Sequence, residues 1–174
     1  QYIVVATGGS GLFEFIHTDN NSTVAGPISI SLSDPPDLIV TDIIAPSLDV
    51  LEGTLVDIGW TVRNDGNGDA NGSWEDRLYL RKVGDPSAPN IALGTYRFNG
   101  PLAAGQTYNR VEQVRLPIRT FGLYEAVVVT NYRAELYEHT FGDNNTLVDD
   151  TPIPITVRPR PDLQISEILA TDVV

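Results

Sequence analysis

The amino-acid sequence predicts an all-β fold, an immunoglobulin-like β-sandwich of about seven strands that recurs as a tandem repeat module. Three observations predict this fold. The 174 residues carry 12 prolines and 15 glycines between short apolar runs, and no stretch has a long helical period. Several runs alternate apolar and polar residues with a period of two, which is typical of strands with one buried face. A long ordered pattern of residues also occurs twice.

The repeated pattern separates the chain into parts of successive modules. The run Tyr2-Ile-Val-Val-Ala-Thr7 returns as Tyr124-Glu-Ala-Val-Val-Val-Thr130, Asp19-Asn20-Asn21 returns as Asp143-Asn144-Asn145, and Pro36-Asp37-Leu38 returns as Pro161-Asp162-Leu163. We therefore assign residues 1–33 to the C-terminal part of a preceding repeat, residues 37–158 to one complete repeat, and residues 162–174 to the first strand of the following repeat. The chain is expected to be a piece of a longer array of such modules.

The first half of the complete repeat predicts four strands. Residues 38–44 form an apolar run that Pro46 ends. In residues 56–62 apolar and polar positions alternate, with Trp60 at the centre of the buried face. The glycine-rich stretch 64–72 predicts a loop, since its Asn and Asp side chains can bond their own backbone. Alternation resumes in residues 74–80, and a shorter strand follows at residues 91–98.

The second half predicts three more strands. Residues 106–116 precede a turn, residues 124–130 are typical of a central buried strand, and residues 153–157 form the last strand. Pro152 and Pro154 suit an edge or the start of a strand, because proline cannot donate a backbone hydrogen bond. An early tryptophan strand and a tyrosine that opens the penultimate strand favour the immunoglobulin-like arrangement.

Composition excludes several classes of function. Eleven basic against 23 acidic residues give a net charge of −12, which repels nucleic acid and anionic lipid. The absence of cysteine excludes a disulfide scaffold and a cysteine-based metal site. No segment has the roughly 18 consecutive apolar residues that a membrane-spanning helix needs. We therefore expect neither nucleic-acid binding nor membrane insertion by this fragment.

An ordered series of motifs resembles one known family. The series runs through Pro36-Asp37-Leu38, Gly59-Trp60-Thr61-Val62-Arg63-Asn64-Asp65-Gly66, Trp74-Glu75-Asp76-Arg77-Leu78-Tyr79-Leu80, Leu102-Ala103-Ala104-Gly105 and Asp143-Asn144-Asn145. It resembles the CARDB domain, the cell adhesion related domain found in bacteria. The resemblance implies a β-sandwich repeat of very large secreted or cell-surface proteins that serves adhesion or forms a structural stalk, and hence an extracellular or cell-surface location. Residues 132–142 depart from the family pattern, which usually has a shorter acidic loop there.

The sequence gives little support to catalysis. Its two histidines, His17 and His139, occupy corresponding places in the two copies. A catalytic triad needs a histidine beside a serine and an acid. Thr140 is the hydroxyl that follows His139, and it has no nucleophile-elbow context. We therefore expect no enzymatic activity from this chain.

Calcium is the ligand that the sequence supports best. Asp65, Asn67 and Asp69 place side-chain oxygens at alternate positions, and Asp76 follows eleven residues after Asp65, a spacing similar to that of an EF-hand loop. Ala70 stands where that loop requires glycine, and the flanking helices are missing, so an EF-hand is rejected. An oxygen cage built on a β-turn and a plain loop of Asx-turns stay open as alternatives.

A second set of candidate calcium ligands lies near the last strand. It comprises Glu135, Glu138, Asp143, Asn144 and Asn145, with Glu14 and Asp19-Asn20-Asn21 at the corresponding places of the earlier copy. Carboxylate and amide oxygens suit calcium, whereas asparagines at such a place also satisfy backbone groups where the chain turns into the last strand. Both uses stay open, and calcium is the one cofactor that we consider.

Aromatic residues and linkers give the remaining hypotheses. Tyr79, Tyr96 and Tyr137 either line a sugar-binding face or pack between neighbouring modules. The segments 33–37 and 158–162 join a last strand to a first strand with almost no slack, and their prolines restrict the backbone. We expect a stiff rod of modules, with neighbouring repeats of the same protein as partners and homotypic assembly into a fibre as an option.

Two functions from different classes therefore compete. The first is a non-catalytic structural or adhesive repeat in an extracellular stalk or filament. The second is an accessory module of a secreted enzyme that binds surface polysaccharide or calcium. The repeat pattern and the stiff linkers favour the first.

Overall fold

The computed structural model describes residues 1–7 and 18–168, and every structural statement below concerns those residues. The chain divides into two compact units, residues 1–33 and residues 34–174. The candidate residues Glu14 and His17, and residues 169–174 of the expected first strand of a following repeat, lie outside the described residues.

Nearly all secondary-structure elements of the described chain are β-strands. The first unit contains β1 (Val4–Ala6), a 3-10 turn (Thr18–Asn20) and β2 (Ser22–Val24). The second unit contains β3 (Leu38–Ile44), β4 (Val50–Leu51), β5 (Leu55–Asn64), β6 (Ser73–Lys82), β7 (Ile91–Asn99), β8 (Thr107–Arg115), β9 (Gly122–Val129), β10 (Thr146–Val148) and β11 (Ile153–Thr156). In the described part of the chain, no helix is long and apolar enough to cross a membrane.

The strands of the second unit form two sheets. One sheet has the order β4-β11-β9-β6-β7, with β10 also paired to β9, and the other has the order β3-β5-β8. Side chains from both sheets share one buried core. The predicted immunoglobulin-like β-sandwich is therefore confirmed.

β5 and β6 supply the centre of the core because their side chains alternate between two faces. Trp60 on β5 is 2% exposed, and Trp74, Leu78 and Leu80 on β6 are fully buried. Burying one large apolar side chain contributes about 1.5–3 kcal/mol, so these strands account for much of the packing between the sheets. The alternation also turns the carboxyl group of Asp76 into the same interior.

Two short strands, β4 and β10, are absent from the sequence prediction. β4 pairs with β11 through two residues, and β10 pairs with β9 through three. Runs of this length show no period of two, so alternation cannot reveal them.

The first unit is an antiparallel hairpin with the same backbone pairing as β9 and β10. The Thr7 N–H donates to the Asn21 carbonyl at 2.8 Å. The Thr130 N–H donates to the Asn145 carbonyl at 3.0 Å at the corresponding place of the second unit. The repeat in the sequence thus coincides with a repeat in the hydrogen-bond register. The assignment of the two ends to partial repeats stays a prediction.

The hairpin of the first unit exposes apolar residues whose counterparts are buried. Val4 and Val5 are 62% and 59% exposed. Val127 and Val128, which occupy the corresponding register positions of β9, are 5% and 0% exposed. The described residues 1–7 and 18–33 therefore carry the apolar pattern of sandwich strands, and no second sheet covers them within the part of the chain that the structure describes.

Candidate functional site

The two segments that the sequence marks as calcium candidates meet at one end of the second unit. Residues 34–37 lead into β3 there, and the loops 65–72 and 130–145 both bond to this incoming chain. We call this the leading end. The opposite end, where residues 157–161 leave β11, is the trailing end.

Asn64 joins the first loop to the incoming chain. Its side chain is fully buried. Its Oδ1 accepts from the Asp37 N–H at 3.0 Å and from the Gly66 N–H at 3.2 Å. Its Nδ2 donates to the Gly68 carbonyl at 2.9 Å and to the Leu102 carbonyl at 3.1 Å. The Asn64 side chain therefore uses both acceptor sites of its Oδ1 and both N–H donors of its Nδ2.

Two glycines allow the incoming chain to lie directly against this loop. The Gly68 N–H donates to the Pro35 carbonyl at 3.1 Å. A Cβ atom at Gly66 would lie 2.6 Å from the Pro35 carbonyl oxygen, and a Cβ atom at Gly68 would overlap the Asp34 carbonyl. Only glycine permits so close an approach of two backbones. The glycine-rich loop is thus shaped to hold residues 34–37.

Glu138 holds the first residue of β3 from the second loop. Its side chain is buried, with 4% exposed. Its Oε2 accepts from the Leu38 N–H at 2.6 Å. Its Oε1 accepts from the side-chain amides of Asn145, at 2.8 Å, and Asn131. These donors compensate the cost of burying a carboxylate.

The structure places the candidate ligands of the first loop in different surroundings. Asp65 Oδ1 lies 2.9 Å from the Arg63 guanidinium. Asp69 Oδ1 accepts from the Ala104 N–H at 3.0 Å, and Asn67 is exposed. Asp76 is fully buried in the core and is not part of the exposed loop surface. In this loop Asn64 and Asp69 accept from backbone N–H groups, and the choice between a plain loop of such bonds and an oxygen cage for calcium stays a prediction.

In the second loop, residues 130–145, some polar side-chain atoms have hydrogen-bond partners and others do not. Asp143 and Asn144 are exposed, and Asn144 Nδ2 donates to Asp37 Oδ1 at 2.9 Å. Asn145 is 5% exposed, and its Oδ1 is buried without a hydrogen-bond partner. Among the residues that the structure describes, no group of three or more His, Cys, Asp or Glu side chains could hold a metal ion.

A pocket of about 250 Å³ lies within this second loop. Glu135, Glu138, Tyr137 and Asn145 are among the residues that line it. His139 also lines this pocket, and its φ is 55°. Its Nδ1 lies 3.3 Å from the hydroxyl oxygen of Thr140. Positive φ is uncommon outside glycine, and Asn131 and Ala134 of the same loop also adopt it.

Asp76 organises a buried polar network in the core. Its Oδ2 accepts from the Trp60 indole N–H at 2.9 Å and from the Tyr108 hydroxyl at 2.6 Å. Its Oδ1 accepts from the Thr130 hydroxyl at 2.8 Å. Burial raises the pKa of the Asp76 carboxyl, although these three hydrogen bonds oppose the shift. Burial, with the charge of Asp76 beside it, also raises the pKa of Tyr108.

Glu52 binds the outgoing chain at the trailing end. Its Oε1 accepts from the Arg160 guanidinium at 3.1 Å and from the Arg158 N–H at 3.4 Å, and its Oε2 accepts from the Arg119 N–H. The hydrogen bond from Arg160 is the largest cause that lowers the pKa of the Glu52 carboxyl, and desolvation opposes it. One carboxylate thus connects the sandwich to the linker that leaves it.

The three candidate sugar-binding tyrosines differ in accessibility. The Arg77 guanidinium lies 4.9 Å from the ring centre of Tyr79 and 4.7 Å from that of Tyr132, so it occupies ring faces that a sugar would need. Tyr96 packs partly buried against the core. Tyr137 is 67% exposed. The three rings therefore do not form one shared exposed platform.

Comparison with solved structures identifies the fold. The crystal structure of the CARDB domain of a Pyrococcus furiosus protein, described as in complex with di-metal ions, matches with a TM-score of 0.53 and 15% sequence identity, over 74% of this chain and 100% of that chain. The solution NMR structure of the CARDB domain from the same organism matches with a TM-score of 0.50 and 17% identity, over 71% of this chain and 97% of that chain. This chain has the CARDB fold. No family model and no curated protein matches the sequence.

The CARDB fold confirms the resemblance that the motifs predict, at the level of the fold. Two anchoring side chains, Asn64 and Glu52, escaped the sequence analysis. The signal for Asn64 was present, because two glycines follow it within four residues, as a close backbone approach requires. The residues around Glu52 do not indicate its anchoring role, since its partners Arg119 and Arg160 are distant in sequence.

Proposed function

We propose that the chain is a non-catalytic structural and adhesive repeat of a large extracellular or cell-surface protein, in which neighbouring modules form a stiff stalk or filament. One observation carries the proposal: buried side chains bind the linker segments at both ends of the second unit. A linker that served only as a flexible tether would need no such bonds.

The bonds at the leading end support stiffness before β3. Asn64 and Asn144 bond to Asp37, and Glu138 bonds to Leu38, the first residue of β3. Proline at positions 35 and 36 restricts the backbone that precedes these bonds. The incoming chain therefore has few conformations available.

The bonds at the trailing end support the same conclusion for the outgoing chain. Glu52 bonds to Arg158 and Arg160, which flank Pro159. The two hydrogen bonds and the proline between them together restrict the chain more than the bonds or the proline would alone. We infer that consecutive modules are joined by stiff linkers.

Backbone 15N relaxation of the full chain tests this proposal. Prolines give no amide signal, so Asp34, Asp37, Arg158 and Arg160 are the reporters. We expect order parameters close to the value of about 0.85 found in rigid backbone, and values below about 0.6 at these residues would contradict the proposal. Asn64→Ala should lower the order parameter at Asp37.

Asn67→Ala is the matched control for Asn64→Ala. Asn67 lies in the same loop and is exposed. It should leave the mobility of Asp37 unchanged. A decrease of equal size in both variants would show that the loop, and not the Asn64 side chain, restricts the linker.

The surroundings of the described histidine support a non-catalytic role. His139 lies on an exposed loop beside Thr140. His139 lines the pocket of the second loop, but a catalytic base also needs a third group that orients it, and its Nδ1 faces the adjacent Thr140 hydroxyl instead.

Calcium binding is the second candidate function, and one observation favours it. Asn145 has a buried Oδ1 without a donor, in a pocket that also presents Glu135 and Glu138. An acceptor without a donor suits a hard cation, which takes carboxylate and amide oxygens as ligands. The CARDB domain from Pyrococcus furiosus is described as in complex with di-metal ions. We therefore propose the second loop as a calcium site, with the Asn145 Oδ1 and the Glu135 carboxylate as ligands. Calcium binding by the first loop stays a prediction.

Calorimetric titration of the full chain with CaCl2 tests this second candidate. Metal at about ten times its dissociation constant should stabilise the second unit by about 1.4 kcal/mol. Glu135→Gln should weaken binding, whereas the matched exposed variant Asp65→Asn should not. If millimolar calcium gives neither heat nor a shift in Tm, the candidate is rejected.

A further inference from the structure

The trailing end concentrates positive charge in a chain whose net charge is −12. β6 and β8 end there, and β11 leads into the outgoing linker there. Six of the eleven basic residues lie at or beside these strand ends, and all six are exposed: Arg81, Lys82, Arg115, Arg119, Arg158 and Arg160. Glu125 pairs with Arg81, Glu52 pairs with Arg160, and the Asp85 carboxylate interacts electrostatically with Lys82. Arg115, Arg119 and Arg158 form no ion pair within the described residues.

Apolar side chains are exposed among these charges. Ile118 is 72% exposed, Phe121 is 59% exposed and Val157 is 48% exposed. A pocket of about 300 Å³ lies beside them and is lined partly by Ile118, Arg119 and Arg158. Exposed apolar groups surrounded by charged ones are typical of a surface that another protein covers.

The leading end of the same unit has the opposite charge. Asp34, Asp65, Asp69 and Asp143 are all exposed on the incoming chain and the two loops that bond to it. Asp65 is paired with Arg63. The two ends of one module are therefore complementary in charge.

The linker is too short to keep the trailing end of one module away from the leading end of the next. Arg160 is bound to Glu52, and Leu163 is the sequence counterpart of Leu38, the first residue of β3. Three residues span at most about 11 Å. A module that begins at Leu163 must therefore place its leading end next to the trailing end of the second unit.

We propose that the trailing end of the second unit is a docking surface for the acidic leading end of another copy of this module, the repeat that follows it along the chain. This proposal rests on the proposed function, because it needs an array of repeats. Ser33 and Pro35 stand in the first copy where Arg158 and Arg160 stand in the second, so the proposal concerns the second unit alone.

A weak contact suffices in such an array. A short linker gives the tethered partner an effective concentration of the order of millimolar. A contact with a Kd of about 1 mM would then be formed about half of the time. The same contact between separate chains is detectable by NMR at high protein concentration.

A dilution series of 1H–15N spectra of the full chain tests the docking surface. We expect signals of Gly53, Gly122 and Arg158 at the trailing end to shift as the concentration rises from about 50 µM to about 1 mM at low salt, together with Gly66 and Gly68 at the leading end. About 1 M NaCl should suppress both sets, because it screens charges beyond roughly 3 Å.

Two pairs of substitutions separate the two surfaces. Arg119→Gln with Arg158→Gln weakens the trailing end, and Asp34→Asn with Asp143→Asn weakens the leading end. Each double variant alone should lose about threefold in self-affinity, since two charge pairs are lost and each exposed pair contributes modestly. A mixture of the two double variants should restore the shifts, because one brings an intact trailing end and the other an intact leading end.

The matched control is Ala92→Glu with Thr95→Glu. Both residues are exposed on β7, and the pair changes the net charge by the same amount as the arginine variant. It should leave the dilution shifts unchanged.

Three results would overturn the proposal. One is a spectrum that does not change with concentration. Another is a set of shifts confined to residues 1–33, which would assign self-association to the exposed hairpin. The third is a mixture of the double variants that associates no better than either alone. None of these results bears on the relaxation of the linker residues, so a failure here is distinguishable from a failure of the proposed function.

Discussion

Replacing Asn64 by alanine should destabilise the second unit by about 3 kcal/mol. The substitution removes four hydrogen bonds from a fully buried side chain. The Leu102 carbonyl keeps a donor, the Ala70 N–H at 2.9 Å. The Asp37 N–H, the Gly66 N–H and the Gly68 carbonyl lose the bond that Asn64 gives them. At about 1 kcal/mol for each group, the sum is about 3 kcal/mol.

Urea unfolding followed by tryptophan fluorescence measures this change in the second unit alone, since both tryptophans, Trp60 and Trp74, belong to its core. With a slope of about 2 kcal/mol per molar urea, the midpoint should fall by about 1.5 M. Asn67→Ala should stay within about 0.5 kcal/mol of the wild type. A midpoint for Asn64→Ala within about 0.3 M of the wild type would refute the argument that Asn64 holds the leading end together.

Two further predictions concern titrating side chains. Burial raises the pKa of Asp76 above its ordinary value of 3.8, so its contribution to stability is complete below that pH and is lost as the pH rises through the folded pKa. The free energy of unfolding of Asp76→Asn, measured in urea and compared with that of the wild type, should therefore increase as the pH rises. A difference between the two proteins that stays constant from pH 3 to pH 7 would contradict this. The bond from Arg160 lowers the pKa of Glu52 below its ordinary value of 4.5, so the contribution of Glu52 is present above that pH and is lost as the pH falls through the folded pKa. Glu52→Gln should loosen Arg160 in 15N relaxation at neutral pH, and an unchanged order parameter would show that Pro159 alone stiffens the chain.

The strands of the core could be predicted because alternation is a local property. The pattern from Val56 to Val62 fixes which side chains of β5 face the interior, whatever the rest of the chain does. The same holds for β6, in which Trp74, Leu78 and Leu80 are fully buried. The strand pattern and the motif series together were sufficient to predict the fold.

The role of Asp76 could not be predicted from its spacing to Asp65. Eleven residues suit a metal loop, but they also place Asp76 on the buried face of β6, at even spacing from Trp74 and Leu78. The partners that satisfy it there, Trp60, Tyr108 and Thr130, come from three other segments. A sequence read locally does not show that these donors converge.

Linker anchoring and metal binding require the same residue types, and this limits what composition can decide. Asparagine and aspartate supply oxygens to a cation, and they supply acceptors to backbone N–H groups equally well. The discriminating property is whether the oxygen lone pairs are already used. Both acceptor sites of Asn64 are occupied by backbone N–H groups, so it cannot also bind a cation without releasing the incoming chain. Asn145 keeps its Oδ1 free. By the same criterion Glu138 is not available to a cation, since its two oxygens accept from the Leu38 N–H and two side-chain amides. The free Asn145 Oδ1 therefore makes the second loop the better calcium candidate, and calcium binding by Asp65, Asn67 and Asp69 stays a prediction.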